Sequence, residues 1–146
     1  MVVAGSGFLL DTNVISELMK ARPSRRVSDW VDATAEALLY LSVITLGEVR
    51  KGIDLLDDAD PRRVALQSWL DHDLRIRFGE RLLDFDAGVA ERWGQLEATA
   101  RKRRATLPTI DAQLAATALH HGLTFVTRNA ADVRPTGVQV FNPWRD

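Results

Sequence analysis

The chain is predicted to be an α/β protein, a three-layer α/β/α sandwich around a central, mostly parallel sheet. Short apolar runs bounded by polar or turn residues have the length and composition of strands, and helical patterns lie between them. Strands that alternate with helices are joined by crossovers, which makes neighbouring strands parallel. At 146 residues and 46% apolar content, the expectation is one domain spanning 1–146 with a single core and no linker.

Phe8 to Leu10 is the first strand, and it runs straight into Asp11-Thr12-Asn13, so a buried strand ends on a carboxylate where a helix begins. Val14 to Met19 opens that helix. Pro23 separates it from a second, Arg25 to Ala33, with Ser24 as N-cap and Val27, Trp30 and Val31 as its apolar stripe. Leu38 to Val43 is the second strand and Thr45 to Leu56 the helix after it. Thr45-Leu46-Gly47-Glu48 matches the capping box, in which the glutamate folds back on the cap's backbone N–H. Asp60-Pro61 starts another helix, with proline in the tolerated first position and Val64, Leu66, Trp69, Leu70 and Leu74 spaced for burial.

Leu82 to Phe85 is the third strand. Asp86 to Arg103 is a long helix with Val89, Trp93, Leu96 and Ala100 on its apolar side; Pro108 breaks the chain, and Ile110 to His121 forms a helix that Gly122 terminates. Thr124 to Thr127 and Val138 to Phe141 complete the sheet. Trp30, Trp69 and Trp93 sit at apolar helical spacing and are assigned to packing rather than base stacking. Trp144, following Pro143, is a docking residue or a lid on the sheet edge.

Composition removes several kinds of chemistry. The absence of cysteine excludes disulfides, thiolate zinc sites and cysteine nucleophiles. The three histidines, His72, His120 and His121, show no HxxxH or HExxH spacing. The stretch Met1 to Gly7 has no basic cluster ahead of an apolar run, and no run approaches the roughly 18 apolar residues a membrane span needs, so a cytosolic, cytoplasmic protein is expected. The net charge of −1 argues against a uniformly basic nucleic-acid binder, although 16 of the 19 basic residues are arginine, which suits bidentate phosphate contacts.

Four acids fall where such a sheet would gather them: Asp11, Glu48, Asp111 and Asp132. Each has a structural reading beside the functional one. Asp11 caps a helix, Glu48 closes a capping box, Asp111 complements a helix dipole, and Asp132 belongs to a turn that Asn129 initiates. Together at one sheet edge they would repel by roughly 3 kcal/mol per pair at about 5 Å, and such a cluster needs cations. Oxygen donors without Cys or His select hard ions, so Mg²⁺, or Mn²⁺, is the chemical expectation. A carboxylate-held Mg²⁺ activates water and neutralises phosphate charge, which suits phosphodiester hydrolysis without a covalent intermediate.

The stretches Phe8 to Glu17, Ser42 to Gly52, Ile110 to Ala116, and Thr127-Arg128-Asn129 followed by Asp132 resemble, in order and spacing, the motifs of the PIN-domain family. The resemblance is closer still to the VapC-type and FitB-type toxins of bacterial type II toxin–antitoxin pairs. It covers nearly the whole chain and implies a PIN-like nuclease domain. Carried over by position, it makes Asp11, Glu48 and Asp111 the acidic core of a Mg²⁺-dependent endoribonuclease, Asp132 the fourth acid, and Asn13, Thr45, Thr127 and Asn129 its polar support. One departure is Val133, which stands where an aromatic often follows the fourth acid. The resemblance also implies a homodimer with RNA as substrate. It further implies a cognate VapB- or FitA-type antitoxin, whose peptide crosses the groove and whose other end carries the pair to promoter DNA. Arg22, Arg25, Arg26, Arg50 and the run Arg101 to Arg104 are candidate contacts for RNA phosphates or antitoxin carboxylates; for the run, a solvated helix end is the plainer reading.

Three alternatives stay open at this level. A haloacid-dehalogenase-type phosphatase would use Asp11 as a nucleophile, but it needs a second aspartate where Asn13 stands. A stand-alone RNA-processing nuclease and a non-catalytic corepressor module are the other two.

Overall fold

The structure, a computed structural model, describes residues 7–146. Apart from Gly7, the amino-terminal stretch read for a leader therefore lies outside the described residues. The order is β1 (Phe8–Leu10), α1 (Thr12–Leu18), α2 (Arg25–Ala33), β2 (Leu39–Ser42), α3 (Val43–Asp54), α4 (Arg62–Ser68), α5 (Arg75–Phe78), β3 (Leu82–Leu83), α6 (Ala87–Lys102), α7 (Thr109–His120), β4 (Thr124–Val126) and β5 (Val140–Phe141). A π-helical turn, Trp69–Leu74, joins α4 to α5, so the helix expected after Pro61 is continuous but locally unwound.

Every strand pairing is parallel, and the sheet order is β3-β2-β1-β4-β5. The chain builds outward from β1 through β2 to β3, then crosses back and adds β4 and β5 on the other side. That reversal places a crevice beyond the carboxyl ends of β1 and β4, the position where open α/β sheets bind ligands.

Alternation along each strand divides the core into two layers. Leu10, Leu39, Leu41 and Val126 face one way and pack with residues of α1, α2 and α3 and with Leu70, Leu74 and Phe78. Leu9 and Phe125 face the other way, onto Leu114, Ala115 and Ala118 of α7. The expected three-layer α/β/α sandwich is formed. Ala112, Ala115, Ala116 and Ala118 are all completely buried, so the small side chains of α7 let it lie close against the sheet, with α6 packed outside it.

The caps refine the expected boundaries. Ser24 accepts the Val27 N–H and Asp86 accepts the Val89 N–H, as caps of α2 and α6. The start of α3 differs from the reading of the sequence. Ser42 caps it by accepting the Ile44 N–H at 3.0 Å, so the helix begins at Val43 and the capping box expected at Thr45 and Glu48 does not form. A good cap residue at the strand's end takes the first turn, which carries Thr45 and Glu48 inside the helix and frees both side chains. The run Arg101 to Arg104 is exposed at the end of α6. Among the described residues, no helix is long and apolar enough to cross a membrane.

Candidate metal-ion site

Asp11 leaves β1 with its backbone N–H bonded to the Val126 carbonyl of β4 at 2.9 Å. It caps α1, its Oδ1 accepting the Thr12 N–H at 2.7 Å, while its Oδ2 accepts the Thr127 hydroxyl at 2.7 Å. Thr127 is itself fully engaged: its oxygen accepts the Asn129 N–H at 3.0 Å and the Asn13 side-chain amide at 3.3 Å, so its proton is committed to Asp11. Asp11 is 5% exposed. Burial pushes its carboxyl up to about 6 against the opposing pull of the Thr127 and Thr12 hydrogen bonds, and the charges of Asp111 and Glu48 push in the same direction as burial.

Glu48 reaches the same place from α3. Its Oε1 accepts the hydroxyl of Thr12, whose oxygen also lies 3.0 Å from that of buried Thr45. The glutamate thus turns toward the end of β1 and not back upon its own helix. Asp111, in the first turn of α7, is raised above the ordinary carboxylate range by burial first and then by the charges of Asp132 and Glu48.

Asp11, Glu48 and Asp111 line one open cavity of about 640 Å³ at the sheet's switch point, together with Asn13 and Asn129. Asp132 does not line it. That residue is exposed on the 3₁₀ turn Ala130–Thr136, with its N–H bonded to the Asn129 carbonyl, and it reaches the cluster through its charge on Asp111. Thr45 and Thr127 stand behind the cavity as supports for Thr12 and Asp11.

The donor set fits a hard divalent cation. Three carboxylates line one cavity, and Asp11 and Asp111 are both raised above the ordinary carboxylate range, by burial first and then by neighbouring carboxylates, a penalty that a bound cation relieves. Among the described residues, no three acids or histidines stand close enough to enclose an ion by themselves. Hard divalent cations can be held by one or two carboxylates with waters filling the remaining positions.

Some cavity residues were not legible as such in the sequence. Thr12 carried no functional reading of its own in the sequence, yet its hydroxyl orients Glu48. Glu17, Lys20, Arg128 and Trp144 line the same cavity. Arg128 directly follows Thr127 in the chain, but Lys20 stands beyond the end of α1, and nothing local marks either as a neighbour of the acids.

A family model described as "PIN domain" matches residues 8–132. "Toxin FitB" of Neisseria gonorrhoeae is 38% identical over 138 residues, 94% of this chain and 99% of that protein. "VapC ribonuclease Y4jK" of Sinorhizobium fredii is 38% identical over 136 residues, 93% and 96% of the two chains. A solved structure of FitAB bound to an IR36 DNA fragment superposes with a TM-score of 0.88 at 35% identity, covering 95% of this chain and 96% of that one. The full-length similarity, the parallel sheet and the acids at its switch point agree: the chain belongs to the PIN domain family.

Proposed function

We propose that this chain is the toxin of a type II toxin–antitoxin pair, a Mg²⁺-dependent endoribonuclease neutralised by a cognate VapB- or FitA-type antitoxin. The observation that carries the reading is the convergence of Asp11, Glu48 and Asp111 on one cavity from three separate elements. The ribonuclease named among its relatives supports the activity, and the toxin and the DNA-bound FitAB complex support the pairing.

Asp11 and Asp111 are assigned as direct ligands of Mg²⁺ or Mn²⁺, Glu48 as a ligand or the acceptor that orients bound water, and Asp132 as an outer charge. The bound ion supplies an activated water and neutralises charge on the phosphate and the leaving oxygen. The chain's own part is orientation. Thr127 fixes the rotamer of Asp11, Thr12 fixes that of Glu48, and Asn13 and Asn129 hold Thr127 in turn. Partly protonated in the ion's absence, Asp11 gives up its proton as the ion binds, so binding strengthens as pH rises through about 6. In the complex with antitoxin, a peptide crossing the cavity excludes RNA, and promoter DNA is reached only through the antitoxin.

The test is cleavage of RNA by antitoxin-free protein. Activity should require Mg²⁺ or Mn²⁺, vanish with chelator, and vanish in Asp11→Asn and in Asp111→Asn. Cleavage that persists in chelator, or in both variants, would refute the assignment.

A further inference from the structure

The cavity is bipolar. Beside Asp11, Glu48 and Asp111 it is lined by Lys20, paired with Glu17, and by Arg128 and Trp144, which the metal chemistry does not use. Each of these is held in place. Lys20 gives one N–H to Glu17 Oε1 at 3.0 Å and keeps its other donors; Glu17, 5% exposed, is fixed in turn by the Ser24 N–H on Oε2 at 2.9 Å. Arg128 is exposed, and among the described residues its guanidinium enters no hydrogen bond or ion pair. It lies over the Trp144 ring at 5.2 Å from the centroid. Buried Asn142 braces both partners of that stack: its Oδ1 accepts the Trp144 N–H at 2.9 Å and its amide donates to the Arg128 carbonyl at 3.4 Å.

We infer that Lys20 and Arg128 form a subsite for a backbone phosphate flanking the scissile one in an RNA strand, with Trp144 as the positioning residue that aims Arg128. The inference rests on the ribonuclease reading above and deepens it. A polyanionic strand lying in the cavity must carry its next phosphate away from the acids, which repel it, and the same cavity offers the uncommitted guanidinium of Arg128 and the remaining N–H donors of Lys20. Arginine stacked on an aromatic face is already ordered, so little side-chain entropy is lost when it takes up phosphate oxygens. A wall meant only to close the C-terminal segment onto the core would need Trp144 but not an unpaired Arg128 stacked on it.

The test uses the full chain without antitoxin and a short RNA, read by cleavage with Mg²⁺ and by fluorescence anisotropy with Ca²⁺. Lys20→Ala and Arg128→Ala should each raise KM about ten-fold, more than they lower kcat. Each should also flatten the slope of log affinity against log salt by about 0.7, the loss of one single-strand phosphate contact. Lys20→Arg should restore affinity; Trp144→Leu should behave like Arg128→Ala, and Trp144→Phe like the unaltered chain. An RNA with one neutral methylphosphonate at the flanking position should bind the unaltered chain and Arg128→Ala equally. Unchanged KM and salt slope in a folded Arg128→Ala would overturn the inference while leaving the nuclease intact. If these variants lose antitoxin affinity but not RNA affinity, the wall serves the antitoxin and the inference also falls. Absence of cleavage by the unaltered chain counts against the ribonuclease reading alone, since anisotropy still reads the subsite.

Discussion

Thr127 donates its hydroxyl to Asp11 Oδ2 at 2.7 Å, tying the end of β4 to the end of β1 across 116 residues of sequence. The two strands are neighbours only because the sheet order reverses at β1, so this bond exists nowhere but at the switch point. It is also the strongest hydrogen-bond influence holding Asp11 toward its ionised form.

Replacing Thr127 with valine keeps the shape and removes the donor. The variant should lose roughly 1–3 kcal/mol of stability, because a buried acceptor is left unsatisfied. It should also bind Mg²⁺ more weakly, since Asp11 becomes harder to ionise. Urea unfolding and calorimetric titration with Mg²⁺ measure both effects, and Thr127→Ser should recover them. A stably folded valine variant with unaltered Mg²⁺ affinity would show that the bond does not tune the ligand.

Stability should depend on pH in a direction set by Asp11. Its carboxyl titrates near 6 in the folded chain against 3.8 when exposed, so folding favours the protonated form. That contribution is complete below 3.8 and is lost as pH rises through about 6, a difference of roughly 3 kcal/mol. Asp111 acts in the same direction. Glu17 and Glu36, lowered from 4.5 by the Ser24 N–H and by Arg77 respectively, act oppositely in more acid solution, and His121, lowered from 6.5 by burial, opposes Asp11 within the same window but with a smaller shift. In chelator, the melting temperature should therefore fall between pH 5 and 7.5. Mg²⁺ should raise it more at pH 7.5 than at pH 5, and Asp11→Asn should flatten both trends.

Thr12→Val should separate catalysis from folding. Without the Thr12 hydroxyl, Glu48 loses its orienting partner, and outer partners of metal ligands are worth about 10- to 100-fold in activity or affinity. The melting temperature should fall modestly, because the hydroxyl of buried Thr45 loses its partner, whereas kcat should fall by more than that loss of folded protein explains, and Thr12→Ser should restore both. A variant with undiminished kcat would remove Glu48's orientation from the mechanism.

Gly7→Ala tests the junction ahead of β1. Gly7 has φ +83°, and a Cβ there would meet the Leu38 carbonyl oxygen at 2.7 Å, a backbone atom with no freedom to retreat. Strain of this kind costs roughly 1–3 kcal/mol, and β1 pairs directly with β2 next to it. Chemical denaturation should register the loss; a neutral substitution would mean that the two strands separate there without cost.

Much of the fold was legible because its signals are short in range. The run from Phe8 to Leu10, the stripe in Arg25 to Ala33, the Ser24 cap and the Gly122 stop each depend on a few adjacent residues, and each lies where the pattern puts it. Glu48 shows where that reading fails. Thr45-Leu46-Gly47-Glu48 satisfies a local capping rule, but Ser42 caps the helix and Glu48 instead accepts a hydrogen bond from Thr12, 36 residues away. Asp132 illustrates the same limit, since its distance from Thr127 along the chain gives no sign that it would sit outside the cavity.

By itself, the sequence determined the α/β class, the elements, and a donor chemistry restricted to oxygen, because periodicity, capping and composition act over a few residues or none. Tertiary structure alone decided which acids share a cavity, which hydroxyls orient Asp11 and Glu48, and that Lys20 and Arg128 line the same cavity. Those relations depend on strand order, and strand order is set by the packing of two cores on the faces of one sheet. A residue's immediate neighbours in the chain carry no record of it.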